Sequence, residues 1–351
     1  MKTKVKKFGV VGCGMISQVH ARAIREIGAE LVACYDQLAA AAERFSQEFG
    51  CKAYTDLNDF LADPEVQIVT ICTPCGAHLE PAVAAAEAGK HVIVERPLEV
   101  TTERCDEIIE ACEKSGVTLS TIFPHRFLDS NRKIKEAIES NRFGELTNGA
   151  AMVKWRRTHQ YYDSSVWRDT WKVDDGDILM NQTIHCVDLF LWFMGDVTEL
   201  NVLLGIDTDE NIEVKDSVVV AVRFKNGVLG FLGMKDHSSS APLMRLKIQG
   251  EDNASVVIDD DDIVEWEFAN SAPEDAEILE AIENRPTDED DALPDPTEIW
   301  NMSPAMQFKD VLDAIESGRK PLIDGYEGRK SVELFCAIYK SAKTHELVKL
   351  G

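Results

Sequence analysis

The sequence predicts an α/β protein of two domains, the first a parallel sheet covered by helices and the second an α+β domain with an open, mainly antiparallel sheet. In residues 1–124, short and continuously apolar runs alternate with helical stretches, the pattern of strands buried on both faces. Further along, several segments alternate apolar and polar residues, which is typical of strands with one exposed face. The 351 residues suffice for two cores. We place the domains at residues 1–124 and 125–351.

The elements of the first domain follow one another in strict alternation. "FGVVG" is a strand and "ISQVHARAIREIG" the helix after it; "LVACYD" and "AAAAERFSQEFG" repeat the pair. "VQIVTICTP", "HVIVERP" and "VTLSTIF" are further strands, separated by the helices "HLEPAVAAAEAG" and "TERCDEIIEACEKSG". Because crossover helices join successive strands, the sheet is predicted to be parallel.

The second domain begins with a helix near "SNRKIKEAIES", a strand at "TNGAAMVKWRR" and a helix around 178–193. Strands are then predicted at "VTELNVLLG", "DSVVVAVRF", "GVLGFLGMK", "LMRLKIQG" and "ASVVID". Asn226-Gly227, between two of these strands, is a strong hairpin signal. Residues 270–298, rich in Asp, Glu and Pro, predict a long surface excursion, and two helices close the chain near 304–317 and 328–344.

Composition narrows the classes of partner. The net charge is −25 and the pI is near 4.7, which argues against nucleic acid or an anionic membrane. No apolar run approaches the roughly 18 residues needed to span a bilayer, and the apolar part of the basic start "MKTKVKKFGVVGCG" is too short for a signal peptide. The nine cysteines are odd in number and scattered, so we expect thiols in a reducing, cytoplasmic compartment.

Metal binding is the less favoured interpretation of two sequence features. The acidic runs at 259–262 and 288–291 are most simply solvated loops or strand ends, with calcium binding as the alternative. Cys72 and Cys75 form a CxxC, for which a redox or metal role is the alternative to a strand end followed by a turn. We predict no metal site.

A glycine-rich loop between the first strand and the first helix predicts a dinucleotide site. In "GVVGCGMISQVHARAI", Gly12 permits the tight turn, Gly14 lets the backbone approach a pyrophosphate, and Ser17 replaces the third glycine. Asp36 ends the second strand, where a carboxylate would bind the adenosine ribose hydroxyls. Because Asp36 would repel a 2′-phosphate, NAD is favoured over NADP. A turn that serves packing alone is the alternative.

Several separated motifs resemble the Gfo/Idh/MocA family, named for glucose-fructose oxidoreductase and inositol dehydrogenase. Thr73-Pro74, His78 and the corner Glu95-Arg96-Pro97 match that family's threonine-proline turn, helix-opening histidine and Glu-Lys-Pro corner. "YYDSSVWRDTW" and "ILMNQTIHCVDLFLWFMG" are similar to a subgroup that oxidises sugars and nucleotide sugars, and "EGRKSVEL" also fits. The resemblance implies a Rossmann domain, a second domain whose open sheet pairs subunits in dimers or tetramers, and hydride transfer between a nicotinamide and a sugar hydroxyl carbon.

His185 is the candidate base, because alcohol oxidation needs an acceptor for the hydroxyl proton and histidine suits that exchange. In the resembling subgroup this histidine faces the nicotinamide; a satisfied core histidine is the alternative. Asn181 lies four residues earlier on the same helix face. Asp188, one turn beyond His185, either orients its ring or serves local packing.

Arg96 stands where the family has a lysine that is thought to bind the reacting hydroxyl and help to move its proton. Arginine keeps the positive charge but cannot realistically deprotonate. We therefore expect Arg96 to stabilise a developing alkoxide and leave His185 as the sole base; an ion pair at a surface or domain interface is the alternative. The family also suggests a cis peptide before Pro97.

The predicted site residues fall into three overlapping sets, of which the resemblance supplies most. The catalytic residues are His185, Arg96 and Asn181. The cofactor-binding residues are Gly12, Gly14, Met15, Ile16, Asp36, Thr73, Pro74, His78, Glu95 and Arg96. The substrate-binding residues are Arg126, Tyr162, Trp167, Arg168, Trp171, Lys172, Asn181 and His185. Aromatic faces pack against sugar rings, and Arg or Lys can hold a carboxylate or phosphate; ordinary loop packing is the alternative for each.

The leading functional hypothesis is an NAD-dependent sugar dehydrogenase or reductase acting on a glycoside, a sugar uronate or a nucleotide sugar, with 3-keto formation as one form of the reaction. An inositol or polyol dehydrogenase is one alternative. A non-catalytic sensor that binds nucleotide is another, since Arg96, Asp169 and Asp177 depart from residues usual in relatives. The expected partners are a small-molecule sugar and further copies of the chain, as a homodimer or homotetramer.

Overall fold

The structure, a computed structural model, describes residues 6–154, 178–205, 217–235, 243–285 and 303–351. These residues form two compact units. Unit 1 consists of residues 6–124 and 303–332, and unit 2 contains the remaining described residues. The return of residues 303–332 to unit 1 was not anticipated from the sequence, because it depends on packing between the two ends of the chain.

The described residues form 14 strands, ten α-helices and one 3₁₀ helix. The strands are β1 (Lys7–Val11), β2 (Glu30–Tyr35), β3 (Lys52–Tyr54), β4 (Ile68–Ile71), β5 (His91–Val94), β6 (Leu119–Thr121), β7 (Leu146–Lys154), β8 (Val197–Leu204), β9 (Ser217–Phe224), β10 (Leu229–Lys235), β11 (Leu243–Gly250), β12 (Ser255–Asp259), β13 (Asp262–Glu267) and β14 (Val348–Lys349). The α-helices are α1 (Met15–Glu26), α2 (Ala39–Phe49), α3 (Leu57–Ala62), α4 (Leu79–Glu87), α5 (Thr102–Ser115), α6 (Asp129–Glu139), α7 (Ile178–Met194), α8 (Asp275–Glu283), α9 (Ala305–Ser317) and α10 (Gly325–Thr344). A 3₁₀ helix spans Pro124–Phe127.

The sheet of unit 1 is a Rossmann sheet of six parallel strands in the order β3-β2-β1-β4-β5-β6, as predicted. Its strand order reverses between β1 and β4, and ligands bind such sheets at the carboxyl ends of the strands beside this reversal. Helix α9 belongs to the same core, where Phe308 stacks on Phe8 with ring centroids 5.5 Å apart. The central strands are mostly apolar because helices cover both faces of the sheet.

The sheet of unit 2 has eight strands in the order β13-β12-β11-β7-β10-β9-β8-β14. It is mainly antiparallel, which confirms the prediction, although β7 and β10 pair in parallel. The β9–β10 hairpin turns at the predicted Asn226-Gly227, where Gly227 has φ of +88°. Helix α7 packs on one face of the sheet, with Phe190 against Phe224 at a centroid distance of 5.2 Å. The packing of α7 on this sheet fixes the position of the predicted base, His185, within unit 2.

The first part of the surface excursion predicted at 270–298 contains helix α8, and most residues of this helix are exposed. Asp275 anchors this helix, since it accepts hydrogen bonds from Arg142 at 2.7 Å and from Nε1 of Trp266 at 2.7 Å. These bonds outweigh burial and lower the pKa of Asp275 to about 2. The acidic run 259–262 forms the β12–β13 turn, as predicted, whereas 288–291 lies outside the described residues. Within the described chain, no helix is both long and apolar enough to cross a membrane.

Candidate active site

The glycine-rich loop begins where β1 ends. Gly12 has φ of +88°, and a Cβ placed on it would lie 2.9 Å from the carbonyl carbon and oxygen of Cys72. The N–H of Gly12 donates to the Tyr35 carbonyl at 2.8 Å, which fixes the loop between β2 and β4. Both the backbone angle and the lack of space require glycine at this position.

Helix α1 starts directly after this loop, and its first turn carries no side-chain cap among the described residues. Gly14 is the N-cap, and a Cβ placed there would meet no atom of the described chain within 4 Å. Met15 is exposed, and Ile16 packs partly against the core. Uncapped amides and the positive end of the helix dipole attract anions. The loop therefore fits the pyrophosphate of a dinucleotide.

Asp36 follows β2 with its carboxylate held in place. Oδ2 accepts the backbone N–H of Cys13 at 2.9 Å, and Oδ1 accepts that of Leu38 at 2.8 Å. Residues 37–43 contain no lysine or arginine. A fixed carboxylate beside the glycine loop can accept hydrogen bonds from ribose hydroxyls and would repel a 2′-phosphate. The residues present thus fit NAD.

The corner after β5 brings Glu95 and Arg96 together. The Arg96–Pro97 peptide is cis, as the family resemblance suggested. Oε2 of Glu95 accepts the backbone N–H of Arg96 at 3.0 Å and lies 3.9 Å from Nε of the Arg96 side chain. Glu95 is 6% exposed and Arg96 is 8% exposed. Arg96 is therefore a buried cation beside a buried carboxylate, rather than part of an exposed surface ion pair.

His20 of α1 completes this corner and was missed in the sequence. It is fully buried, with Nε2 2.7 Å from Oε1 of Glu95 and Nδ1 2.7 Å from Oγ1 of Thr70. Burial lowers the pKa of His20, but the adjacent Cys72 sulfur and the Glu95 carboxylate outweigh it and raise this pKa to about 10. Burial also disfavours ionised Glu95, yet His20 and Arg96 lower its pKa. An imidazolium–carboxylate pair therefore holds the corner.

His78 ties the predicted threonine-proline turn to the same corner. Its ring is buried, with Nε2 3.0 Å from the Thr73 carbonyl and Nδ1 2.9 Å from the Pro97 carbonyl. Glu99 accepts the backbone N–H groups of His78 and Leu79 at 3.1 and 3.2 Å, and so caps the start of α4. This geometry favours a supporting role for His78. Thr73 is half-buried and Pro74 exposed, at the surface of the turn.

In unit 2, helix α7 carries the predicted base. His185 is half-buried, and its ring centroid lies 4.6 Å from that of His125. Nδ1 of His125 lies 2.7 Å from Oδ1 of Asp261, in the β12–β13 turn. Asn181 is in the same helix, but its side chain lies outside the described part of the structure. His125 and Asp261 were not among the predicted site residues.

Arg126 and Asp188 form a buried, bidentate ion pair. Nε and Nη2 of Arg126 donate to the two carboxylate oxygens of Asp188 at 2.9 and 2.7 Å, and the guanidinium lies 5.4 Å from the Trp192 ring centroid. Arg126 is 1% exposed. This placement favours a structural role for Arg126, which the sequence analysis suggested as a substrate ligand. For Asp188 it favours local packing over orientation of the His185 ring.

The remaining predicted substrate-binding residues lie outside the described residues. They are Tyr162, Trp167, Arg168, Trp171 and Lys172. Among the described residues, no group of three or more His, Cys, Asp or Glu side chains is placed to hold a metal ion.

Two family models match most of the chain. The NAD-binding Rossmann fold of the GFO/IDH/MocA oxidoreductase family matches residues 6–123, and the GFO/IDH/MocA C-terminal domain matches residues 131–255. Among curated proteins, the myo-inositol 2-dehydrogenase of Thermotoga maritima is 29% identical over 98% of both chains.

Solved structures of dehydrogenases are similar over the full length. The WlbA dehydrogenase of Bordetella pertussis, in complex with NADH and UDP-GlcNAcA, is 30% identical, with a TM-score of 0.87 over 100% of this chain and 99% of that one. The WlbA dehydrogenase of Chromobacterium violaceum, with the same two ligands, is 29% identical, with a TM-score of 0.87 over 100% of this chain and 97% of that one.

Proposed function

This chain belongs to the Gfo/Idh/MocA family of NAD-binding oxidoreductases, and on that premise we propose that it oxidises a hydroxyl group of a nucleotide sugar that carries a uronate. The observation that carries this proposal is the full-length similarity to WlbA, which was crystallised with NADH and UDP-GlcNAcA. Inositol is the second candidate substrate, because the Thermotoga maritima relative matches 98% of the chain.

The proposed cofactor site is the switch point of the Rossmann sheet. The amides after Gly12 and Gly14 would hold the pyrophosphate, and Asp36 would accept hydrogen bonds from the ribose. Bound NAD supplies the acceptor for the hydride that leaves the carbon bearing the hydroxyl. The Thr73-Pro74 turn, supported by His78, and the corner at Glu95 would form the remaining edge of this site.

Two side chains would divide the chemistry of the hydroxyl group. His185 takes the hydroxyl proton as general base. Arg96 stays charged throughout and stabilises the negative charge that develops on the oxygen. The His20–Glu95 pair supports this role, because a fixed carboxylate next to Arg96 limits how far its guanidinium can move. Residue 96 therefore transfers no proton, although a lysine at this position would allow such a transfer.

A substrate panel tests the proposal. Purified protein is mixed with NAD and, in separate reactions, a UDP-linked amino-sugar uronate, the uronate without nucleotide, simple glycosides and myo-inositol, and absorbance is followed at 340 nm. We expect the largest kcat/KM for the UDP-linked uronate. A larger kcat/KM for myo-inositol would favour the polyol alternative. NAD binding measured by calorimetry, without turnover of any sugar, would contradict the enzymatic proposal and support a nucleotide-binding sensor.

We further propose that two copies pair through the outer face of the unit 2 sheet. Leu203, Val219 and Phe231 are exposed there, and the strand register places Leu203 beside Val219. Phe231→Glu should shift the mass measured by light scattering to that of a smaller assembly, because it places a charge on this apolar face. Leu347→Glu, at another exposed leucine, is the control. A monomeric wild-type protein would contradict the proposal.

The cytoplasm is the compartment we propose for this enzyme. The nine cysteines carry no pattern of a secreted disulfide framework and would remain reduced there.

A further inference from the structure

Two imidazoles and one carboxylate meet in unit 2, although they come from three elements far apart in the sequence. His125 comes from the 3₁₀ helix, His185 from α7 and Asp261 from the β12–β13 turn. The rings of His125 and His185 are inclined by 44° at a centroid distance of 4.6 Å, and Nδ1 of His125 lies 2.7 Å from Oδ1 of Asp261. We infer that the His125–Asp261 pair is a proton relay that receives the substrate proton from His185 and releases it to water.

This inference rests on the proposed function, because only an alcohol oxidation gives the relay a proton to carry. Each turnover breaks one C–H bond and one O–H bond of the substrate and forms a C=O double bond from the electron pair that the O–H bond leaves. The hydride goes to NAD, and the hydroxyl proton goes to His185. His185 must lose that proton before the next turnover, and the proton passes through His125 to solvent. No further oxidant or reductant is needed for this sequence.

The carboxylate determines which nitrogen of His125 can exchange a proton. An ionised carboxylate accepts hydrogen bonds and has none to donate, so Nδ1 of His125 carries the hydrogen that faces Asp261. Nε2 is then the nitrogen that can gain and lose a proton. Asp261 thus acts on His125 as the carboxylate of a carboxylate–histidine pair, which fixes both the tautomer and the ring orientation.

The backbone on both sides of His125 is also held. Nδ2 of Asn131 donates to the His125 carbonyl at 2.9 Å. The next residue, Arg126, is locked by its bidentate pair with Asp188, which lies on the same helix as His185. These contacts hold the backbone that carries His125 and tie the neighbouring Arg126 to the helix that carries His185.

The two outer members of the proposed relay reach the protein surface. His185 is half-buried, the His125 side chain is 16% exposed and the Asp261 side chain is 37% exposed. A proton that reaches His125 is thus next to a group in contact with water.

Other charged groups surround the pair, and a pH experiment must allow for them. They are Asp259, paired with Arg245; Asp260; Asp262, 3.8 Å from Arg285; and Arg126, paired with Asp188. Asp261 is the carboxylate in direct contact with His125. Asp262→Asn removes the same charge from the same turn without touching that contact, so it is the matched control.

An NMR titration tests the relay without turnover. The imidazole signals of the eight histidines are assigned by single substitutions and followed against pH in the full-length protein. We expect Asp261→Asn to move the titrations of both His125 and His185 to lower pH, because a neighbouring negative charge is lost. Asp262→Asn should move them far less. If Asp261→Asn and His125→Asn both leave the His185 titration unchanged, the relay is refuted.

Kinetics give the second test. His125→Asn should lower kcat on the order of tenfold, leave KM within about twofold, and recover when imidazole is added as an external proton acceptor. A purely structural role would change stability or KM and would not be restored by imidazole, so that result would overturn the relay. Two results together would separate the hypotheses. If the wild-type protein turns over no sugar but Asp261→Asn still moves both titrations, the proposed function is refuted and the coupling of His125 and His185 is supported.

Discussion

Replacing Glu95 with glutamine tests the buried pair that holds the Arg96 corner. Glu95→Gln removes the negative charge 2.7 Å from His20 and beside Arg96 while keeping the size of the side chain. His20 and Glu95 are both buried, so water cannot replace the lost partner. Breaking a buried ion pair on one side typically destabilises a protein by roughly 3–5 kcal/mol, and we expect a loss of that order at pH 7.

The pH dependence gives a sharper expectation than the loss alone. The pKa of His20 is raised from its ordinary 6.5 to about 10 in the folded state. The stabilisation from His20 is therefore complete below pH 6.5 and is lost as pH rises towards 10. One proton contributes a slope of up to about 1.4 kcal/mol per pH unit across this window. Glu95, whose pKa is lowered, contributes above its ordinary 4.5 and loses its contribution only in acid.

Urea unfolding followed by circular dichroism at pH 6, 7, 8, 9 and 10 measures this difference. The free energy of unfolding of the wild-type protein should fall with pH across the alkaline range, and that of Glu95→Gln should fall less steeply. Glu65→Gln, which removes a carboxylate from an exposed pair with Lys7, should keep the wild-type slope. Parallel pH profiles for the wild-type protein and Glu95→Gln would refute the reasoning.

Three further predictions concern the cofactor loop and unit 2. Gly12→Ala should destabilise the fold by about 1–3 kcal/mol, because φ is +88° at this position. Gly14→Ala should keep the melting temperature, because a Cβ there meets no atom of the described residues, but should weaken NAD binding measured by calorimetry. Asp36→Ser should weaken NAD binding and lower the ratio of the affinity for NAD to the affinity for NADP. An unchanged ratio would contradict the role given to the carboxylate. Asp188→Ala should lower the free energy of unfolding by roughly 3–5 kcal/mol in urea, since Arg126 would remain charged and buried; a loss below 1 kcal/mol would contradict that reasoning.

The features that the sequence revealed are local in the chain. The glycine loop, Asp36 and the hairpin at Asn226-Gly227 follow from residue types at short spacings, because the backbone conformation of a turn depends on a few neighbours. Continuous apolar runs indicated the parallel sheet for the same kind of reason, because a strand covered on both faces has few polar positions.

The features that the sequence did not reveal depend on contacts between distant residues. His20 and Glu95 are 75 positions apart, and His125 and Asp261 are 136 apart. The sequence analysis interpreted Arg126 as a ligand for an anionic substrate. Its true partner, Asp188, lies 62 positions away and could not be recognised from the sequence. No spacing rule connects such pairs, and only the packing of separate elements brings them within hydrogen-bonding distance.

We propose that this family member catalyses oxidation with arginine at position 96. The most direct measurement is single-turnover absorbance at 340 nm, with excess protein and NAD over a UDP-linked uronate, for the wild-type protein and Arg96→Lys in parallel. We predict that the wild-type protein reduces NAD in that turnover, with His185 as base and Arg96 supplying charge alone. Reduction by Arg96→Lys with none by the wild-type protein would refute this role of Arg96, because it would show that the proton must pass through residue 96.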